Sequence, residues 1–384
     1  MTRSGTGGNL TRQVLGASYP SSSSSAPSMP SAVPTAFFRV NAPGPSLARC
    51  GLRVWVLFWA VFLGTRMQGQ PASAPLRTRA ESLRAMESVM GRLPSGPRGV
   101  PKVVVLSEVR RDGWVLRDLT YESQPGAAVP AYLMFPESAL TNGARHPAML
   151  GLHQTHAAGR KVVVGLGNSP DDAYGAELVK RGFVVLAPAY PLLADHQPDV
   201  RGLGFESGTM KAIWDNVRGL DLLSSLPFVS TNRGFGAIGH SLGGHNGLYT
   251  AAFDERIRVV VTSCGFDSFR DYYDGNPAVW AEERGWCQLR YMPGLLAYRG
   301  RLEALPFDFD DVLGAIAPRR VFVNAPKGDS NFRWRSVDRV VERVRPLWTE
   351  EGGPAPEVVH PEGAHRFAPE QRERAYAMLE AVLK

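Results

Sequence analysis

The sequence predicts an α/β domain: a mostly parallel central sheet with helices on both faces, entered through antiparallel strands. Three observations carry this. From about residue 147 onward, short apolar runs alternate with helix-length segments. Ahead of them, three strand-like runs are joined by hairpin-type turns. A glycine-rich serine turn, Gly239-His240-Ser241-Leu242-Gly243, sits where one apolar run passes into a helix.

The elements follow in order. Residues 80–93 have the spacing of a short amphipathic helix, and 94–101 form a Gly/Pro linker. Residues 102–109 and 114–123 read as strands around the turn Arg111-Asp112-Gly113, and 128–135 as a third strand. The alternating part then predicts strands at 147–152, 183–187, 234–238, 257–262, 320–324 and 356–359. Helices are expected at 171–181, 207–226, 243–253, 336–348 and 370–382. In the long helix, Met210, Ile213, Trp214, Val217, Leu220 and Leu223 recur at core spacing. With no second linker and no internal repeat, 75–384 is expected to form one domain. Residues 266–318 interrupt the alternation and carry Tyr272, Tyr273, Trp280, Trp286, Tyr291 and Tyr298. They form an insertion, read either as a surface cluster or as a cap lining a substrate cleft.

Charge is distributed unevenly. The 384-residue chain has net charge +7, yet residues 1–74 hold six arginines and no lysine, aspartate or glutamate. The remaining 37 basic residues face 36 acidic ones, a net of +1. A basic nucleic-acid-binding surface is therefore not expected on the folded part. Residues 1–46 are rich in Ser, Gly, Pro and Thr and predict disorder. Arg49 and Arg53 then precede the apolar run 54–63, and Ala72-Ser73-Ala74 supplies an A-x-A pattern. That order reads as a secretory signal peptide, and ten apolar residues are too few to span a bilayer. A periplasmic or secreted protein without a stable membrane anchor is expected. Cys264 and Cys287 follow the leader, and a disulfide between them or two separate thiols both remain open.

The chemistry centres on Ser241. A serine on a tight strand-to-helix turn projects its hydroxyl above the sheet edge, and flanking glycines permit the crowding such a turn needs. Serine requires a base, and the base an orienting acid, each on a loop after a later strand. His365, in Gly363-Ala364-His365-Arg366, follows the last strand; Asp329, in Lys327-Gly328-Asp329, follows the strand at 320–324. His360 competes as base, and Asp267, Asp308 and Asp310 compete as acid. The oxyanion donors are expected to be the amide of Leu242 and one from His153-Gln154-Thr155, Thr155 ahead of Gln154. His153, His240, Trp280 and Tyr291 are candidate substrate contacts. His153 and His156 have no partner cluster that would make a metal site.

At this point the chain resembles the α/β-hydrolase superfamily, and within it the dienelactone-hydrolase-like and acetyl-xylan-esterase-like serine enzymes. The matching stretches are Tyr121-Glu122-Ser123-Gln124-Pro125-Gly126 leading into Val129-Pro130-Ala131-Tyr132-Leu133, then Leu152-His153-Gln154-Thr155, Gly239-His240-Ser241-Leu242-Gly243-Gly244, Lys327-Gly328-Asp329 and His365-Arg366-Phe367. They run from about residue 100 to the C-terminus. The resemblance implies hydrolysis of carboxylic esters, on small-molecule or carbohydrate substrates, without metal or organic cofactor. Dienelactone hydrolases proper carry cysteine as nucleophile; Ser241 departs from that, so dienelactone is not the expected substrate. A prolyl-oligopeptidase-type peptidase and a non-catalytic binding module on the same scaffold are the alternatives. Oligomeric state is left open.

Overall fold

The computed structural model describes residues 75–384 apart from positions 142, 168 and 351. The leader and its signal segment lie outside the described residues.

Helix α1 (Arg79–Met90) begins at Thr78 with a reciprocal capping box to Glu81 and ends at Gly91, whose φ of 86° a side chain would resist. Strands β1 (Val103–Arg111), β2 (Trp114–Gln124) and β3 (Ala127–Pro136) pair antiparallel as an up-and-down ribbon. Then come β4 (His146–Leu152), α2 (Tyr174–Lys180), β5 (Val184–Pro188), α3 (Gly208–Ser225), β6 (Val229–His240), α4 (Leu242–Phe253) and β7 (Ile257–Ser263). The insertion holds α5 (Phe309–Gly314) near its end, and β8 (Arg320–Asn324), α6 (Trp334–Glu350), β9 (Glu357–Val359) and α7 (Pro369–Leu383) complete the chain.

The sheet has nine strands in the order β1-β2-β3-β5-β4-β6-β7-β8-β9. β3 pairs antiparallel with β5, and every pairing from β5 to β9 is parallel. Successive strand residues point to opposite faces, and the two cores divide accordingly. In β7, Ile257 and Val260 join one core, while Val259 and Val261 join the other. In β8, Val321 and Val323 go one way and Phe322 the other. The first core is closed by α1, α3, α4, α5 and α6, and the second by α2 and α7. Strands buried on both faces explain the near-continuous apolar runs in the sequence.

Several elements differ from expectation: β6 already begins at Val229, and α5 is a helix within the insertion. The 171–181 helix is shorter, because a 3-10 turn takes Pro170–Asp172 and α2 starts only at Tyr174. α3 is not amphipathic in burial: Lys211 and Asp215 lie inside it, fully buried and ion-paired one turn apart. Lys211 Nζ also donates to Ser123 Oγ at 3.3 Å and lies over the Phe205 ring. Within the described residues no helix is long and apolar enough to cross a membrane.

Candidate active site

The serine turn is built by crowding. Ser241 stands between β6 and α4 at φ 51°, ψ −122°, a conformation that costs a non-glycine residue about 1–3 kcal/mol. Neighbouring structure holds it there: its N–H donates to Ser263 O at 2.7 Å, and its carbonyl accepts from His245 N–H at 2.9 Å. A Cβ on Gly243 would sit 1.9 Å from Leu152 O, and one on Gly239 would sit 2.2 Å from the Gly243 carbonyl carbon. Only glycine allows the turn to lie this close to β4 and to the helix it opens.

His365 and Asp329 come from loops after β9 and β8, as the strand count requires. Asp329 accepts from His365 Nδ1 at 2.9 and 3.0 Å, and from the Asn331 and Phe332 amides at 2.8 and 3.2 Å. Burial pushes the Asp329 carboxyl upward, but the His365 hydrogen bond and charge and the two amides together hold it below its ordinary value. A carboxylate on Nδ1 fixes the proton there and leaves Nε2 as the acceptor. The rivals are engaged elsewhere. His360 bonds Ala325 O and Asp338, Asp308 caps α5, and Asp310 pairs with Arg343. Asp267 accepts from the Arg333 amide.

Ser241 and His365 line one cavity of about 350 Å³. Leu242, Gln154 and Thr155 line it beside the serine, with Leu242 at the first turn of α4, where backbone N–H groups have no intrahelical partner. His240 lines it too, its ring centroid 4.8 Å from that of His365 and its Nδ1 3.1 Å from Ser263 Oγ. Burial and then the neighbouring His365 push His240 down to about 3, so it stays neutral. Across the opening stand Tyr272, Trp286, Gln288 and Tyr291 of the insertion, and Asn331 and Phe332 after Asp329. Tyr291 OH lies 3.1 Å from Thr155 Oγ1 and ties the insertion to the loop after β4. The insertion therefore walls the cavity.

Two expected substrate contacts are corrected. Trp280 is fully buried and packs edge-on against Phe269 and Tyr272, away from the cavity. Trp286 takes the cavity position instead, stacked on the buried His245 ring at 4.3 Å. Both tryptophans stand in one aromatic-rich stretch, and no local signal in the sequence separates them. His153 is also withdrawn from the cavity. Its Nδ1 donates to Gln154 O at 2.8 Å and its Nε2 accepts from Tyr190 N–H at 2.9 Å, so both nitrogens are used internally. Burial brings it down to about 4, neutral at ordinary pH, and it braces the loop. Cys264 and Cys287 are both buried free thiols, so the disulfide is not formed.

The sheet order, the strand-to-helix serine turn and the helices on both faces define the α/β-hydrolase fold. A glucuronoyl esterase from Solibacter usitatus superposes with a TM-score of 0.65 at 17% identity, covering 80% of this chain and 92% of that one. Acetyl xylan esterase 1 from Thermoanaerobacterium sp. gives 0.51 at 18% identity, covering 79% and 93%. In sequence, the Bacillus subtilis (strain 168) protein YtaP, named as a hydrolase, is 28% identical over 197 residues. That match spans 48% of this chain and 64% of YtaP. No family model matches the chain.

Proposed function

We propose that the protein is a serine-dependent carboxylic ester hydrolase acting through an acyl-enzyme. The reading rests above all on a positive-φ serine sharing one cavity with a histidine whose Nδ1 is held by a buried carboxylate. In this reading, His365 Nε2 takes the Ser241 proton as the serine oxygen attacks the ester carbonyl. The Leu242 and Thr155 amides receive the oxyanion, with Gln154 as the alternative donor. Collapse expels the alcohol, which takes the proton from His365. Water then attacks the acyl-enzyme with His365 again as base, and Asp329 keeps the tautomer and stabilises the imidazolium. These steps use only the chain's own residues and water.

The substrate is read as an acylated carbohydrate or a small ester. Aromatic faces beside Gln288, Asn331 and Thr155 suit a sugar, offering ring stacking together with hydroxyl partners. The esterase names of the superposed structures point the same way. His240 and Tyr291 are the substrate contacts kept from the sequence reading, joined by Trp286. Residues 75–384 are read as one catalytic domain, and 1–74 as a leader with a signal peptide that directs periplasmic or secreted localisation.

The test is a panel of p-nitrophenyl acyl esters, acetylated xylan and dipeptidyl anilides. Hydrolysis of the esters is expected, with S241A reduced by several orders of magnitude and no longer labelled by a fluorophosphonate. Anilide turnover exceeding ester turnover would favour the peptidase instead. Unchanged ester activity in S241A would reject the reading.

A further inference from the structure

The C-terminal ends of three adjacent parallel strands, β7, β8 and β9, bring three different donor atoms together. Cys264 is the first residue after β7 and stands at φ 50°, a left-handed conformation held by its N–H to Asn324 O at 2.8 Å. Asp329 follows β8 and His365 follows β9. The Cys264 Sγ, an Asp329 carboxylate oxygen and a His365 ring nitrogen all lie within 4.8 Å of one another. Among the described residues this is the one such group of three. Cys264 is 2% exposed, and the side chains of Asp329 and His365 are 1% and 20% exposed.

We infer that Cys264, Asp329 and His365 form an inhibitory site for a soft divalent cation such as Zn²⁺ or Cd²⁺. The inference rests on the hydrolase reading for its consequence, though not for the binding itself. Thiolate, imidazole and carboxylate are a set that Zn²⁺ and Cd²⁺ favour and that Mg²⁺ and Ca²⁺ do not. With bonds of about 2.0–2.3 Å, a tetrahedral ion holds its ligands roughly 3.3–3.8 Å apart. The three donors thus need to shift by about an ångström or less. Charge also fits burial: one thiolate, one carboxylate and one divalent ion sum to zero, so no net charge is placed in the interior. The Arg366 carbonyl oxygen, 3.7 Å from Cys264 Sγ and accepting from Asn324 Nδ2 at 3.1 Å, has a second lone pair to offer as a fourth ligand.

The chemistry balances with one proton released. The Cys264 thiol gives up its proton to solvent as sulfur binds the ion. His365 Nδ1 binds the ion through its lone pair, and the proton it held moves to Nε2. An Nε2 that carries a proton in the neutral ring cannot accept one from Ser241, so the ion blocks the base without occupying the cavity.

The test uses the full-length protein. Zn²⁺ and Cd²⁺ are titrated against hydrolysis of a soluble aryl ester, with Mg²⁺ and Ca²⁺ as controls and a chelator to reverse the effect. C264A and C264S are each compared with their own uninhibited rates. Co²⁺ absorption is recorded on the S241A protein, so that binding is read without activity. The expected result is chelator-reversible inhibition by Zn²⁺ and Cd²⁺, weakened about tenfold or more in both Cys264 variants. A thiolate-to-Co²⁺ charge-transfer band is expected in S241A and absent from S241A/C264A. Equal inhibition in the Cys264 variants, or no inhibition together with no Co²⁺ band, would overturn the site. If S241A retains ester activity, the hydrolase reading falls, while the Co²⁺ band still decides the cation site.

Discussion

Topology says on which loops a base and an acid would stand, and the structure brings His365 and Asp329 into hydrogen-bond contact from those two loops. His153 and Trp280 were misplaced for a physical reason. Whether a ring faces a cleft or the interior depends on which partner reaches it. Tyr190 N–H, 37 residues downstream, claims His153 Nε2, and Phe269 and Tyr272 enclose Trp280. No spacing rule encodes those partners. At the Asp329–His365 pair, a change that keeps shape and removes charge separates orientation from mere presence. In D329N the amide nitrogen can donate to Nδ1 and favour the wrong tautomer. We expect kcat for ester hydrolysis to fall by about 10³–10⁴-fold, the magnitude seen when a triad acid is replaced by its amide. A fall of less than tenfold would place the orienting role elsewhere.

Elements explain what residues cannot. The turn from β6 to α4 exists because Gly239, Gly243 and Gly244 leave room for Leu152, Thr262 and each other. A methyl group on Gly243, 1.9 Å from the Leu152 carbonyl, would force β4 and α4 apart. G243A is therefore expected to lose several kcal/mol of stability, read as a large fall in the urea midpoint, or to fail to accumulate as soluble protein. A shift within 0.5 kcal/mol would mean the turn relaxes freely. The insertion was legible as an interruption rich in aromatics, but its division of labour was not, since tertiary packing encloses Trp280 completely and sets the largely buried Trp286 at the cavity wall. W280A should lower stability by about 3–5 kcal/mol, as expected for emptying a fully buried tryptophan site. W286A, at the cavity wall, should chiefly raise KM for carbohydrate esters. Equal changes in melting temperature and no change in KM would contradict that split.

Over the whole molecule, pH dependence follows from which titratable groups folding buries, and the signs differ. Burial pushes His153 down to about 4 and His196, His240 and His245 down to about 3. An unfolded histidine binds its proton near pH 6.5, so between about 6.5 and 4 the unfolded chain holds protons that the native one refuses. The share of stability these four histidines carry is therefore fully present above pH 6.5 and lost as pH falls, the four together taking up nearly four protons on unfolding near pH 5. Asp267 acts in the opposite sense. Burial, aided by the neighbouring Asp271 and Asp308 carboxylates and opposed by the Arg333 amide and charge, raises it to about 8. The native state keeps a proton there that the unfolded chain loses near pH 4, so this group reduces stability progressively as pH rises from about 4 to 8. D267N keeps the shape of the neutral acid and cannot ionise. Its gain in melting temperature over the parent should consequently be larger at pH 8 than at pH 5. An equal gain at both values would mean that Asp267 is ionised in the native protein throughout, with the Arg333 side chain meeting its charge.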